Sequence, residues 1–270
     1  MTDWLQIHRG DAPLVVSFPH TGTELPTGIA ARLISPWLAR KDADWWIEQL
    51  YDFAPSLGAT TIRTAISRTV IDVNRDPSGA SLYPGQPTTG LCPTTTFDGE
   101  PLYRTGEPDQ AEIDRRRAEY FDPYHDALRA ELDRLRAIHG RVVLYEAHSI
   151  RSVIPRLFDD LLPNFNIGAN SGASCDAALT AAVEAACDTG EFSRVTDGRF
   201  KGGWTTRHYG RPEHGVHAIQ MELACRGYMD EPPGLLTSAI WPTPYVEERA
   251  APMRAALVNV LNACLDFAKS

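Results

Sequence analysis

The sequence predicts an α/β fold, a mainly parallel mixed sheet covered by helices on both faces in three α/β/α layers. Short apolar runs alternate along the chain with segments of helical spacing, the order expected of parallel strands joined by helical crossovers. The strongest run, Val142-Val-Leu-Tyr-Glu-Ala-His148-Ser149-Ile-Arg151, reads as a buried strand that ends in an imidazole, a hydroxyl and a guanidinium. Open α/β sheets bind ligands at such strand ends.

The elements follow in order. Residues 14–18 form a short buried strand closed by Pro19. Residues 42–53 have helical spacing, with Trp46, Leu50 and Phe53 on one face and Gly58 beyond. Residues 59–66 and 69–73 read as two strands. Residues 76–108 carry Pro77, Pro84, Pro87, Pro93, Pro101 and Pro108, which predicts a long ordered loop or lid. From 109 to 139 a stripe of Ile113, Tyr120, Tyr124, Leu128, Leu132 and Leu135 predicts a helix, ended by Gly140 and kinked or divided at Pro123. An alanine-rich helix at 174–187, a strand at 216–223 and a terminal helix at 247–267 complete the pattern. With no internal repeat or low-complexity linker, residues 1–270 read as one domain.

Composition removes several function classes. A formal net charge of −9 argues against nucleic acid or an anionic membrane as the main partner. No run is long enough to span a membrane, and the first residues lack the basic and apolar regions of a signal peptide. Cys92, Cys175, Cys187, Cys225 and Cys264 are odd in number and never paired as CxxC, which points to a reducing cytoplasm and against a thiolate zinc site. Any metal would have to be held by histidine and carboxylate. The oligomeric state is left open, and a homo-oligomer is compatible.

Four segments place polar groups where a core would not. Around Pro19-His20-Thr21-Gly22-Thr23-Glu24, the residues Pro19, Gly22 and Pro26 disfavour a helix, which makes His20 the candidate ligand rather than a His20/Glu24 pair. Asp42 and Asp44 sit at a helix start, where carboxylates commonly cap. With His148, one of these aspartates and His20 make a two-histidine, one-carboxylate set, which suits a catalytic zinc that keeps a position for water. In the strand at 216–223, alternation places Glu222 with Val216, Ala218 and Gln220, opposite Ile219, Met221 and Leu223. A carboxyl desolvated there would have a raised pKa, as a general base requires. Arg68 and Arg75 bracket an apolar stretch with Asn74 beside the second, and Arg151 lies three residues past His148. Together they read as a clamp for an anionic substrate. Lys201-Gly-Gly-Trp-Thr-Thr-Arg207-His208-Tyr209-Gly210 reads as a glycine-rich, substrate-covering loop without P-loop spacing.

Taken together, these segments resemble the N-formylglutamate amidohydrolase family. The matching pieces are Pro19-His20-Thr21-Gly22, Asp42-Ala-Asp44-Trp45, Ser67-Arg68 through Asp72-Val73-Asn74-Arg75, His148-Ser149-Ile150-Arg151, Gly202-Gly203, Thr206-Arg207-His208-Tyr209-Gly210 and Gln220-Met221-Glu222. The resemblance runs nearly end to end, with a more distant likeness to zinc carboxypeptidases. It implies a phosphorylase/hydrolase-like fold, and hydrolysis of N-formyl-L-glutamate to formate and L-glutamate in histidine degradation. It further implies zinc or another divalent metal held by His20, Asp44 and His148, with Asp42 the alternative carboxylate. Glu222 is then the general base. Arg68, Asn74 and Arg75, with Arg151 or Arg207, hold the two substrate carboxylates, and His208 or an arginine assists at the oxyanion. Trp46 departs from the pattern, standing where close relatives often have histidine. A zinc deacylase or carboxypeptidase acting on another N-acyl acidic amino acid is the alternative reading.

Overall fold

A computed structural model describes residues 4–81, 85 and 88–270. Its seven strands form one sheet: β1 (Leu5–His8), β2 (Leu14–Phe18), β3 (Thr60–Thr64), β4 (Val142–Ile150), β5 (Phe165–Gly168), β6 (Arg194–Thr196) and β7 (Val216–Ala224). The order is β1-β3-β2-β4-β7-β5-β6. Strands β3, β2, β4 and β7 run parallel, while β1 joins β3 and β5 joins β7 antiparallel. The mainly parallel mixed sheet expected from the alternation is therefore present. The outer strands β1 and β6, and β5 beside β6, escape the pattern because they are only three or four residues long.

Helices cover both faces. α1 (Thr27–Ala30) and α2 (Ile47–Leu50) are single turns, followed by α3 (Gln110–Arg116), α4 (Asp122–His139), α5 (Ala177–Cys187), α6 (Trp204–Tyr209) and α7 (Glu247–Lys269). α5, α7 and α2 bury Leu179, Val183, Leu257 and Leu50 against Val143, Tyr145, Ile219 and Met221. α4 lays Leu128, Leu132 and Leu135 on the opposite face, over Val15, Ile62, Val142 and Leu144. The period-two alternation of β4 and β7 thus divides their side chains between two cores, as the sequence predicts for β7.

Three local expectations change. The 42–53 segment is not one helix: Trp46 adopts a left-handed conformation with φ of 65°, and only Ile47–Leu50 is helical. Residues 69–73 do not pair as a strand but turn beneath the strand ends, buried without a ladder. Pro123 divides its helix through a wide π-helical turn at Arg117–Phe121, which absorbs the amide that proline lacks. The described part of 76–108 is irregular, as expected, while Pro84 and Pro87 lie outside the described residues. No helix among the described residues is long and apolar enough to cross a membrane.

Candidate active site

The even-numbered face of β4 starts in the α4 core with Val142 and Leu144, then turns polar with Glu146 and His148. In register beside it on β7 are Gln220 and Glu222. His20 follows directly after β2, and its carbonyl accepts the Asp44 amide at 3.0 Å, tying the two segments together. The left-handed Trp46 ends this turn, so that Asp44 enters the interior instead of capping a helix.

A compact cluster results. His148 Nδ1 lies 3.0 Å from Asp44 Oδ2, and His20 Nδ1 lies 3.6 Å from the same oxygen. The ring centroids of the two histidines are 4.8 Å apart. On its other side His20 Nε2 donates to Asp72 Oδ1 at 2.7 Å. This bond fixes the tautomer and leaves Nδ1 facing inward, where neither it nor Asp44 Oδ1 has a hydrogen-bond partner. Two imidazole nitrogens and a carboxylate oxygen so gathered are a donor set that fits a divalent cation, and zinc in particular. The outer Asp72 carboxylate supplies the support that metal-ligating histidines usually have. Asp42 is not part of the set: its carboxylate accepts the Phe97 amide at 2.7 Å and approaches Arg151. Glu24 is exposed, away from the cluster.

The electrostatics favour positive charge between the carboxylates. Burial alone would lower the His148 pKa, but Asp44, Glu146 and Glu222 outweigh it and hold it up to about 10. Asp72 is likewise buried, yet His20, Arg68 and Arg75 keep it well below the usual carboxylate range. Arg68 Nη2 donates to Asp72 Oδ2 at 2.7 Å and its guanidinium stacks over Phe97. In Glu222 burial prevails, and the carboxyl is pushed up to about 7 despite His148 nearby.

His20, Arg68, Asn74, Arg75, His148 and Glu222 line one cavity, joined by Phe97, Leu157, Arg199, Phe200, Gly203 and Gln220. Asn74 Oδ1 accepts the Thr205 amide at 2.9 Å, which turns its Nδ2 toward His148 Nε2 at 3.1 Å. Gly203 is required here, because a Cβ would stand 2.3 Å from the Asn74 amide nitrogen. The segment read as a covering loop is partly the helix α6, docked through the Gly203 amide on Gln220 Oε1 at 2.7 Å.

Three of the expected substrate-contacting residues, the clamp candidates Arg151 and Arg207 and the oxyanion candidate His208, do not line this cavity. Arg151 turns to Asp98 at 2.8 Å and Asp42 at 3.4 Å, drawn by two carboxylates. Arg207 binds back to the Gly202 carbonyl through Nε at 2.8 Å. His208 is exposed and stacks on Trp204 at 4.2 Å. Sequence reasoning missed Asp72, Glu146 and Arg199 as members of the site. Asp72 was hidden inside a run taken for a strand. Glu146 could have been found from its odd place in an apolar strand: it is fully buried, with Oε2 3.6 Å from His148 Nε2.

Fold and site together define a class: an α/β protein that gathers two imidazoles, a carboxylate and a proton-transfer carboxyl at its strand ends, the equipment of a hydrolase. Residues 12–229 match the family model for N-formylglutamate amidohydrolase. The chain is 51% identical over 233 residues to the N-formylglutamate deformylase of Pseudomonas aeruginosa, covering 86% of this chain and 87% of that one. It is 44% identical over 263 residues to the N-formylglutamate deformylase of Pseudomonas putida, covering 97% and 95%. The crystal structure of N-formylglutamate amidohydrolase from Ralstonia eutropha JMP134 shares the fold, with a TM-score of 0.78 at 24% identity over 96% of each chain. The chain belongs to the N-formylglutamate amidohydrolase family.

Proposed function

We propose that this protein hydrolyses N-formyl-L-glutamate to formate and L-glutamate, a step of histidine degradation, with a divalent metal held by His20, Asp44 and His148. The reading is carried by one juxtaposition: the inward-facing histidine–aspartate cluster and Glu222 meet in a single arginine-lined cavity. Homology with enzymes of that name supports the substrate assignment. A zinc ion so held supplies Lewis acidity, polarising the formyl carbonyl and acidifying water. Asp72 holds the His20 ring in its tautomer, and the Asn74 side-chain amide packs against the His148 ring at Nε2. Glu222 takes the proton of the attacking water and returns it to the departing nitrogen, a role suited to a carboxyl whose pKa is near neutrality. Arg75, anchored by Thr89 at 3.0 Å, meets the α-carboxylate beside the scissile amide. The test is product analysis on N-formyl-, N-acetyl- and N-succinyl-L-glutamate. Formate release far exceeding release of the other acyl groups is expected; preferential release of a larger acyl group would refute the assignment.

A further inference from the structure

We propose that Glu146 is the positioning carboxylate of His148, the acceptor for its Nε2 hydrogen while Nδ1 faces a bound cation. This rests on the metal-dependent reading above and extends it to a residue outside the ligand set. The two histidines are supported unequally. On His20 the outer nitrogen Nε2 bonds to Asp72 at 2.7 Å, which leaves Nδ1 inward. His148 turns its Nδ1 inward as well, 3.0 Å from Asp44 Oδ2. A neutral imidazole that gives the Nδ1 lone pair to a cation carries its hydrogen on Nε2. His148 is buried, so that hydrogen needs an acceptor within the protein.

Two groups flank His148 Nε2. The Asn74 side-chain nitrogen lies 3.1 Å away, with its partner oxygen taken by the Thr205 amide. An amide nitrogen offers only donors, so it cannot receive the hydrogen. Glu146 Oε2 lies 3.6 Å away and is the acceptor. It stands two residues before His148, on the same face of β4, and is fully buried. Its neighbours in register are Ser17 on β2 and Gln220 on β7. Both bond elsewhere: Ser17 Oγ pairs with the Tyr124 hydroxyl at 2.5 Å, and Gln220 Oε1 accepts the Gly203 amide at 2.7 Å. Neither Glu146 oxygen has a hydrogen-bond partner. A buried carboxylate left without one is costly to the fold, so packing alone does not explain the residue. Shortening the gap to His148 by under ~1 Å makes a charge-assisted hydrogen bond.

The experiment uses Glu146→Gln and Glu146→Asp in the full chain, with zinc itself as the probe. In chelator competition Glu146→Gln should weaken zinc binding about 10- to 100-fold. Glu146→Asp, which keeps the charge, should recover part of the loss. Denaturant titration of the zinc-free proteins separates positioning from packing. Glu146→Gln should be at least as stable as wild type, because it removes an unpartnered buried charge. Loss of stability, unchanged zinc affinity, or a wild-type protein that takes up no zinc would overturn the proposal. Nitrogen-15 NMR of the histidine-labelled, zinc-loaded protein reads the ring directly. Wild type should show His148 with its hydrogen on Nε2 and a strongly deshielded proton, which moves upfield in Glu146→Gln. A hydrogen on Nδ1, or a proton resonance indifferent to Glu146→Gln, would sink it. None of these measurements involves substrate. Absence of formate release from the zinc-loaded protein would therefore strike the hydrolytic reading alone.

Discussion

Asp72 and Glu222 are both buried carboxyls at the histidine cluster, one bonded to His20 and the other in register beside His148, yet their surroundings drive them apart. Asp72 sits on the loop side among His20, Arg68 and Arg75, and stays ionised far into acid. Glu222 sits on the strand side, where the desolvating wall of β7 outweighs the nearby cations and lifts it to about 7. One carboxyl is fitted to hold a ring in place and the other to exchange a proton. Chemical identity does not assign those roles: cations bond directly to Asp72, whereas Glu222 is raised by burial and by the neighbouring Asp44 carboxylate.

The largest expected effect comes from removing the exchangeable member. Glu222→Gln should lower kcat by ~10²–10⁴-fold while bound metal, measured by elemental analysis, stays the same. Unchanged turnover would break the division of roles. Asp72→Asn should act on affinity instead, weakening metal binding about 10- to 100-fold in a chelator competition. If it cut kcat of the fully loaded enzyme as deeply as Glu222→Gln, the two carboxyls would not differ as described. The pH profile sharpens the same contrast. Glu222 must be ionised to accept a proton, so kcat/KM should fall on acidification with a limb at or below pH 7, since a bound dication can only stabilise the carboxylate. A limb clearly above pH 7 would assign it to another group.

The smallest effect concerns the frame of the loop side. His125 on α4 donates from Nε2 to the Val73 carbonyl at 2.8 Å, pinning the turn that carries Asp72 and Asn74. Burial lowers its pKa to about 3, although the Val73 bond opposes this. The folded pKa thus lies below the unfolded value of about 6.5, and acid favours the unfolded chain. Its contribution is intact above pH 6.5 and is lost as pH falls toward 3, by at most about 1.4 kcal/mol per pH unit. Denaturant titrations of wild type and His125→Gln across that window should show a shallower acid decline in the variant. Identical slopes would remove His125 from the account.

Much of this was legible in the chain. Long parallel strands announce themselves as apolar runs, and an imidazole at the end of one, as in β4, has few purely structural uses. Asp44 was visible as one of two candidates, and only the left-handed turn at Trp46, invisible to helical periodicity, separates it from Asp42. The arginines were harder to read. Arg151 follows its strand closely in sequence, but Asp98 arrives from a distant loop and captures it. Arg199 sits in an unremarkable segment after a three-residue strand and reaches the cavity only through tertiary packing. Spacing reports which residues leave the core, but the partners that claim each charge come from elsewhere in the chain.

Metal-dependent turnover tests the account most directly. After chelation and dialysis the protein should release no formate from N-formyl-L-glutamate, and one equivalent of zinc should restore it in wild type but not in His148→Ala. Full formate release from protein with no detectable metal would contradict the roles given to His20, Asp44 and His148.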